Sequence, residues 1–110
     1  EALRLAENSS VSREDAYTVL QESVVGAPFV QYKRPAFLDP ATPVAMSLSL
    51  VEKDLRLITG HARAHGEPAP VTEVALAAVS RAVEAGMGDR DMADLSRFPT
   101  DPDQGSGTGS

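Results

Sequence analysis

The chain has 110 residues, of which 42% are hydrophobic and 24% charged, and a formal net charge of −6 at pH 7. This length suits one domain with a single core, and the composition excludes disorder along the whole length. The acidic balance, with only two lysines, argues against nucleic acid, and the lack of cysteine excludes disulfides, thiolate metal sites and cysteine nucleophiles. Without an apolar run of roughly 18 residues or a signal-peptide pattern, no membrane association is expected, and we expect a cytoplasmic protein.

Two helices are predicted near the beginning of the chain. Residues 1–7 are strong helix formers with no N-cap before them, so they are interpreted as the last turns of a longer helix that begins upstream. Ser12 and Asp15 form a variant capping box, which predicts a second helix over 13–25 that ends at Gly26. The spacing of three and four predicts that its buried face consists of Ala16, Val19, Leu20 and Val24.

A proline-rich segment and the longest helix follow. Residues 27–43 contain four prolines, which predict an irregular stretch, and its apolar side chains predict that it packs against something. The next helix is expected to begin at Ala45 or Ser47 and to end at His65, with Gly66 as its C′ residue. Its predicted buried stripe is Leu48, Val51, Leu55, Ile58 and Ala62.

The last part of the chain predicts two more helices and a tail. A helix is expected over 71–85, ended by Gly86 and Gly88, and Asp89 is expected to cap a final short helix. Residues 99–110 are rich in Gly, Ser, Thr and Asp and are predicted to be a disordered tail. Since no alternating strand pattern and no repeat occurs, the sequence predicts an all-α domain over residues 1–98.

Three short motifs are candidates for chemical sites. Lys53-Asp54 lies in the middle of the longest helix, away from its apolar stripe, and by spacing alone it is best explained as a solvated charge pair. His61 and His65 have the spacing of two ligands on one metal, but no third ligand is evident, so no metal site is predicted. The glycines of Gly86-Met87-Gly88 follow a helix and not a strand, which favours a helix–helix turn over a phosphate loop.

Three segments carry a resemblance to a known family. Residues 1–7 (EALRLAE) look like its Ser-Glu-Ala-x-x-Leu-Ala-Glu segment, and residues 50–57 (LVEKDLRL) look like its Leu-x-x-Lys-Asp-Leu-x-Leu helix. Residues 86–91 (GMGDRD), preceded by a Pro-x-Pro, lie before the final helix as they do there. The chain thus resembles the C-terminal helical domain of the β-hydroxyacid dehydrogenases, which include 3-hydroxyisobutyrate dehydrogenase and tartronate semialdehyde reductase and are related to 6-phosphogluconate dehydrogenase.

The resemblance implies a cofactor-contact role for three residues. Lys53 and Asp54 would line the cleft near the nicotinamide end of NAD or NADP, and Met46 stands where the family usually has a Phe that packs at the cofactor. The family's catalytic lysine lies some twenty residues before Glu1, and its Rossmann domain lies earlier still. Lys33 does not match the catalytic motif, so this chain is expected to hold no catalytic residue and to be inactive alone.

The resemblance therefore implies part of an NAD(P)-dependent oxidoreductase that acts on a small β-hydroxyacid. The chain would supply a wall of the substrate and cofactor cleft and a surface for homo-oligomerisation, with the apolar segment from Phe29 to Leu38 as a plausible contact. Two alternatives stay open. One is the same domain of an imine reductase-like enzyme, which uses a different proton donor, and the other is a stand-alone helical interaction module without catalysis.

Overall fold

The all-α prediction is confirmed by a computed structural model, which describes residues 1–98. Helical backbone makes up 68% of it, and the only β pairing among the described residues is an isolated bridge between Ser47 and Asp91. No helix within this range is both long enough and apolar enough to cross a membrane. The predicted disordered tail, residues 99–110, lies outside the described residues.

The chain divides into two compact units, Glu1–Pro43 and Val44–Ser110, of which the second is described as far as Phe98. The expectation of one core from chain length was wrong. The division follows the proline-rich segment, which folds against the helices of the first unit and ends at Pro43. Each unit has its own buried apolar residues: Leu3, Tyr17 and Ala36 in the first, and Leu48, Val79, Ala82 and Ala93 in the second.

The first unit opens with two helices, α1 (Ala2–Asn8) and α2 (Arg13–Gln21). Helix α1 has Glu1 as its N-cap residue, which forms no side-chain cap hydrogen bond. Its end is closed by Ser10, whose φ of 67° lies in the left-handed region that few non-glycine residues adopt. The predicted cap of α2 is confirmed, since the Ser12 hydroxyl accepts a hydrogen bond from the Asp15 amide at 3.1 Å.

The end and the buried face of α2 differ from the prediction. The helix ends at Gln21, four residues early, and Gly26 lies so close to the Gln21 carbonyl that a Cβ would not fit. Val19 and Val24 of the predicted face are exposed, and Tyr17 is the buried residue. The reason is tertiary: the Tyr17 hydroxyl donates to the Val30 carbonyl at 2.5 Å, which turns this side of α2 inwards.

The proline-rich segment is not irregular but contains two short helices, α3 (Pro28–Tyr32) and α4 (Arg34–Leu38). Pro28 is the first residue of α3, and Pro35 is the second residue of α4. Amides in the first turn of a helix have no intrahelical partner, so proline costs nothing there and its fixed φ suits the helix. The prediction of an irregular stretch, which rested on the number of prolines and not on their positions, was therefore wrong.

The second unit is built on α5 (Leu48–Ala64) and α6 (Pro70–Ala82). The Ser47 hydroxyl caps α5 by accepting from the Leu50 amide at 3.2 Å. Gly66 has a φ of 66° directly after the C-cap, and the Glu67 amide donates to the Ala62 carbonyl at 2.9 Å, which completes a Schellman motif. The end of the longest helix and the Ser47 alternative for its start thus agree with the structure to within one residue, whereas a start at Ala45 was wrong.

After α6 the chain makes a wide helical turn, Val83–Met87, and ends in a 3₁₀ helix, Met92–Arg97. Gly86, with a φ of 93°, redirects the chain within the turn. The 3₁₀ helix is capped by Asp91 and not by Asp89, because the Asp91 side chain accepts from the Ala93 amide. The core of this unit lies between these elements, with Leu48, Val79 and Ala82 at its centre and Val51, Leu55, Val83, Met87, Leu95 and Phe98 packed around them.

Candidate functional site

Lys53 and Asp54 lie half-way along α5, and both are exposed. Neither side chain forms a hydrogen bond or an ion pair with another described residue. Met46 lies two residues before the first residue of α5 and is half-buried. The structure places these three residues along one helix and its lead-in segment, and it leaves both charges available to a ligand.

The surface around the charge pair is partly apolar. Leu50 is 42% exposed and Leu57 is 64% exposed, and these two residues lie three or four positions on either side of Lys53 and Asp54. Residues at these spacings are neighbours on one helix face. The exposed strip of α5 thus carries two charged and two apolar side chains.

The start of α5 is fixed by a second segment, and we call residues 45–49 and 88–92 together the α5 clamp. The Leu48 amide donates to the Arg90 carbonyl at 2.9 Å, and the Ser49 amide donates to the Gly88 carbonyl at 3.0 Å. A Cβ on Gly88 would collide with the Ser49 hydroxyl, which would then have to rotate away. Lys53 therefore lies on a helix whose first turn is hydrogen-bonded to residues 88–92.

Asp91 is the centre of the α5 clamp. Its Oδ2 accepts hydrogen bonds from the Ala45 amide at 2.9 Å and the Met46 amide at 3.3 Å, while its Oδ1 accepts from the Ala93 amide at 2.9 Å. The residue is only 5% exposed. A buried carboxylate is costly unless its oxygens are bonded, and here three backbone donors satisfy them.

These bonds decide what the start of α5 can bind. Helix N-termini bind phosphates through free backbone amides. Here the amides of Leu48, Ser49, Leu50 and Val51 already donate to acceptors inside the chain. The start of α5 is therefore not a phosphate site, and any charged contact on this helix depends on side chains such as Lys53.

A second buried carboxylate, Asp94, fixes the 3₁₀ helix. It accepts from Arg90 Nε at 2.7 Å and from Arg97 Nη1 at 2.5 Å. Sequence reasoning missed both Asp91 and Asp94 because it chose Asp89 as the cap and assigned no role to the other two carboxylates. One signal was present in the sequence. Asp91 directly precedes the helix that begins at Met92, and an aspartate at this N-cap position can accept a hydrogen bond from the amide two residues later, that of Ala93.

The two histidines near the end of α5 do not form a metal centre with other described residues. Their ring centroids are 4.2 Å apart, and His65 Nδ1 lies 2.9 Å from the His61 carbonyl oxygen. Within residues 1–98 there is no group of three or more His, Cys, Asp or Glu residues that could hold a metal ion. The geometry supports a role for His65 at the helix C-terminus, where its ring is held beside a backbone carbonyl.

In the first unit, Lys33 and Tyr17 are buried parts of the packing. Lys33 is 5% exposed and joins α3 to α4. Burial raises the pKa of the Tyr17 hydroxyl, and the nearby Arg34 guanidinium, 5.7 Å from the ring centroid, partly opposes that rise. Because the hydroxyl donates to the Val30 carbonyl, it stabilises the packing of this unit and is not placed for chemistry.

The family model described as NAD-binding of NADP-dependent 3-hydroxyisobutyrate dehydrogenase matches residues 1–98. The match spans every described residue, including Met46, Lys53, Asp54 and the α5 clamp. No curated protein matches the chain.

Proposed function

The chain belongs to the 3-hydroxyisobutyrate dehydrogenase-like NAD-binding family, and we propose that it is the C-terminal helical domain of an NAD(P)-dependent oxidoreductase. In this proposal the domain forms one wall of a cleft that takes NAD or NADP and a small β-hydroxyacid. The remaining wall and the catalytic lysine belong to polypeptide outside this chain. The chain itself contributes contacts to the cofactor and carries no catalytic residue.

The observation that carries the proposal is the exposed pair Lys53 and Asp54 within an apolar strip of α5. Unpartnered charges between exposed leucines suit a surface that receives a ligand with both polar and apolar parts. The nicotinamide end of a dinucleotide is such a ligand. Lys53 can donate hydrogen bonds, Asp54 can accept them, and Met46 offers a polarisable apolar contact.

The hydrogen-bond donors of α5 also indicate which part of the dinucleotide this chain does not bind. The pyrophosphate needs several free amides or a cluster of cations. The amides at the start of α5 are bonded inside the chain, and Arg56, a second cation one turn from Lys53, pairs with Glu52. The residues therefore fit the nicotinamide end alone, and a bound dinucleotide would supply or accept the hydride there.

The proposed role of Lys53 and Asp54 is to orient ligand groups by charge. An ammonium beside a partly apolar surface interacts more strongly than one in open water, because the local dielectric constant is lower. Lys53 would fix an electron-rich group of the ligand, and Asp54 would accept from a hydroxyl or amide donor. Both roles are positional, so their loss should weaken cofactor binding more than it slows the chemical step.

Homo-oligomerisation is a further part of the proposal. Phe29 is 40% exposed and Tyr32 is 69% exposed in the apolar segment of the first unit, and their rings meet edge to face with centroids 5.3 Å apart. Aromatic residues on a surface are enriched at protein interfaces. We propose that this segment contacts another subunit.

The test is to read the gene upstream of the codon for Glu1 and to assay the complete polypeptide. A Gly-x-Gly-x-x-Gly turn together with a Gly-x-x-x-Lys-x-x-Asn helix, and oxidation of a β-hydroxyacid with NAD or NADP, would support the proposal. A Rossmann turn without that lysine, together with imine reduction, would favour the imine reductase-like alternative. A start codon directly before Glu1 would refute the oxidoreductase proposal and leave a helical interaction module.

A pair of variants of the complete polypeptide tests the contact itself. Lys53→Met removes the charge and keeps the apolar stem, and loss of one charged hydrogen bond is expected to raise the cofactor Kd about 10- to 100-fold. Arg56→Met removes one positive charge from the next turn of the same helix, where Arg56 pairs with Glu52, and it should leave the Kd nearly unchanged. Isothermal titration calorimetry measures both values. Equal effects would show that only net charge matters and would refute a specific contact by Lys53.

A further inference from the structure

The α5 clamp holds the backbone of Met46 from both sides. The Met46 amide donates to Asp91 Oδ2 at 3.3 Å, and the Met46 carbonyl accepts from the Met92 amide at 2.8 Å. Met46 itself lies before α5, so no helical hydrogen bond fixes it. Its position is set by the segment that contains Asp91, which is 45 residues away in the sequence.

The two oxygens of Asp91 have separate tasks. Oδ1 caps the 3₁₀ helix through the Ala93 amide, which any good N-cap residue could do. Oδ2 reaches the Ala45 and Met46 amides, and no helix requires this second contact. A serine at this position would satisfy the cap with a single oxygen, so the carboxylate has an additional use.

We propose that Asp91 is a positioning residue for the cofactor contact: through Oδ2 it holds Met46 in place beside the nicotinamide-binding surface. This inference rests on the proposed function. The bonds to a buried carboxylate are charge-assisted, and they are therefore stronger than bonds to a neutral acceptor. Because the amide and the carbonyl of Met46 are both hydrogen-bonded, its backbone is already ordered before the cofactor binds. Binding therefore costs less conformational entropy.

The consequence of losing Oδ2 is local. Leu48 and Ser49 keep their bonds to the Arg90 and Gly88 carbonyls, and Ser47 still caps α5. The helix and Lys53 should therefore stay in place, while the segment before Ser47, which keeps the bond from the Met92 amide to the Met46 carbonyl, becomes more mobile. If Met46 then holds its contact conformation for only about a fifth of the time, the apparent Kd of the cofactor rises about fivefold.

The experiment uses the complete polypeptide with ¹³C-methyl-labelled methionine. Within residues 1–110 only Met46, Met87 and Met92 would be labelled, and Met87, which packs against the core, serves as an internal reference. Asp91→Ser keeps an oxygen for the Ala93 amide and removes Oδ2. Asp89→Ser makes the same change at an exposed position two residues earlier. Each protein is titrated with NADPH and with NADH, and hydrogen exchange of the Met46 amide is followed separately.

The expected result for Asp91→Ser is a shifted and narrowed Met46 methyl signal, faster exchange of the Met46 amide, and a Kd about fivefold higher. Asp89→Ser should change none of these. Ser47→Ala, which removes the α5 cap and keeps Asp91, should lower the unfolding midpoint without raising the Kd. That variant separates a loss of stability from a loss of position.

Three results would overturn the inference, and one of them would overturn the proposed function as well. If wild-type protein binds the cofactor and Asp91→Ser binds it equally well, Asp91 has no positioning role, and the proposed function stands. If wild-type protein binds neither NADPH nor NADH, the cofactor contact in the proposed function fails together with this inference. A Kd raised equally by Asp89→Ser would also overturn it, because the effect would then come from net charge.

Discussion

Leu48→Ala is the substitution for which the structure gives the clearest magnitude. Leu48 is completely buried, at 0% exposed, and it packs against Val79 and Ala82 at the centre of the second unit. Leucine-to-alanine changes in cores cost about 2–5 kcal/mol, depending on how far the neighbours can collapse into the cavity. Val79 is stiff and Ala82 is small, whereas Met87 at the edge can move, so we expect a loss of about 3 kcal/mol.

Urea unfolding followed by circular dichroism, with hydrogen exchange at Val79 as a local probe of the second unit, measures this loss. With an m value of about 1–3 kcal/mol per molar urea, the midpoint should fall by about 1–3 M. The control is Leu57→Ala on the same helix, where the leucine is 64% exposed and the change should stay within about 0.5 kcal/mol. Equal losses in the two variants would refute the assignment of Leu48 to a tightly packed core.

Two more predictions concern backbone conformation and alkaline pH. Gly86→Ala should destabilise by about 1–2 kcal/mol because its φ is 93°, whereas Gly60→Ala, in helical backbone with open space around it, should stabilise by up to about 1 kcal/mol. Thermal unfolding measures both, and shifts of the same sign would contradict the structure. Because burial raises the folded-state pKa of Tyr17 above 10.0, the stabilising contribution of its hydroxyl is complete below pH 10 and is lost as pH rises through the folded-state pKa. Tyr17→Phe should therefore cost about 1 kcal/mol at neutral pH, and its deficit should shrink in urea titrations above pH 10; a constant deficit would contradict this explanation.

The features that could be predicted from the sequence are those fixed by neighbours along the chain. Ser12 before α2 and Gly66 after α5 satisfy helix ends within four residues of themselves, so local rules were enough. The all-α class and the bounds of α5 follow from the same local periodicity. The exposure of Lys53 and Asp54 follows too, since neither lies on the apolar stripe of that helix.

The features that could not be predicted depend on contacts between distant segments. The buried face of α2 is determined by Tyr17, whose hydroxyl donates to the Val30 carbonyl. A prediction from hydrophobicity alone prefers Val19 and Val24 to a tyrosine, and both valines are exposed. The proline-rich segment was misjudged for a different reason. Proline disrupts the interior of a helix and suits its first turn, so the positions of Pro28 and Pro35 mattered more than their number.

The choice between Asp89 and Asp91 shows why a site of this kind needs the fold. Both aspartates lie near the start of the last helix, and by local rules either could cap it. What distinguishes Asp91 is the lead-in segment to α5, which brings the Ala45 and Met46 amides to its second oxygen. Those amides lie outside regular helix and have no helical acceptor, and the buried carboxylate of Asp91 supplies one where they converge. The same need that makes Asp91 structural fixes Met46 at the surface proposed to meet the cofactor. Stability and ligand contact therefore share one residue, and the Asp91→Ser and Ser47→Ala pair can separate them.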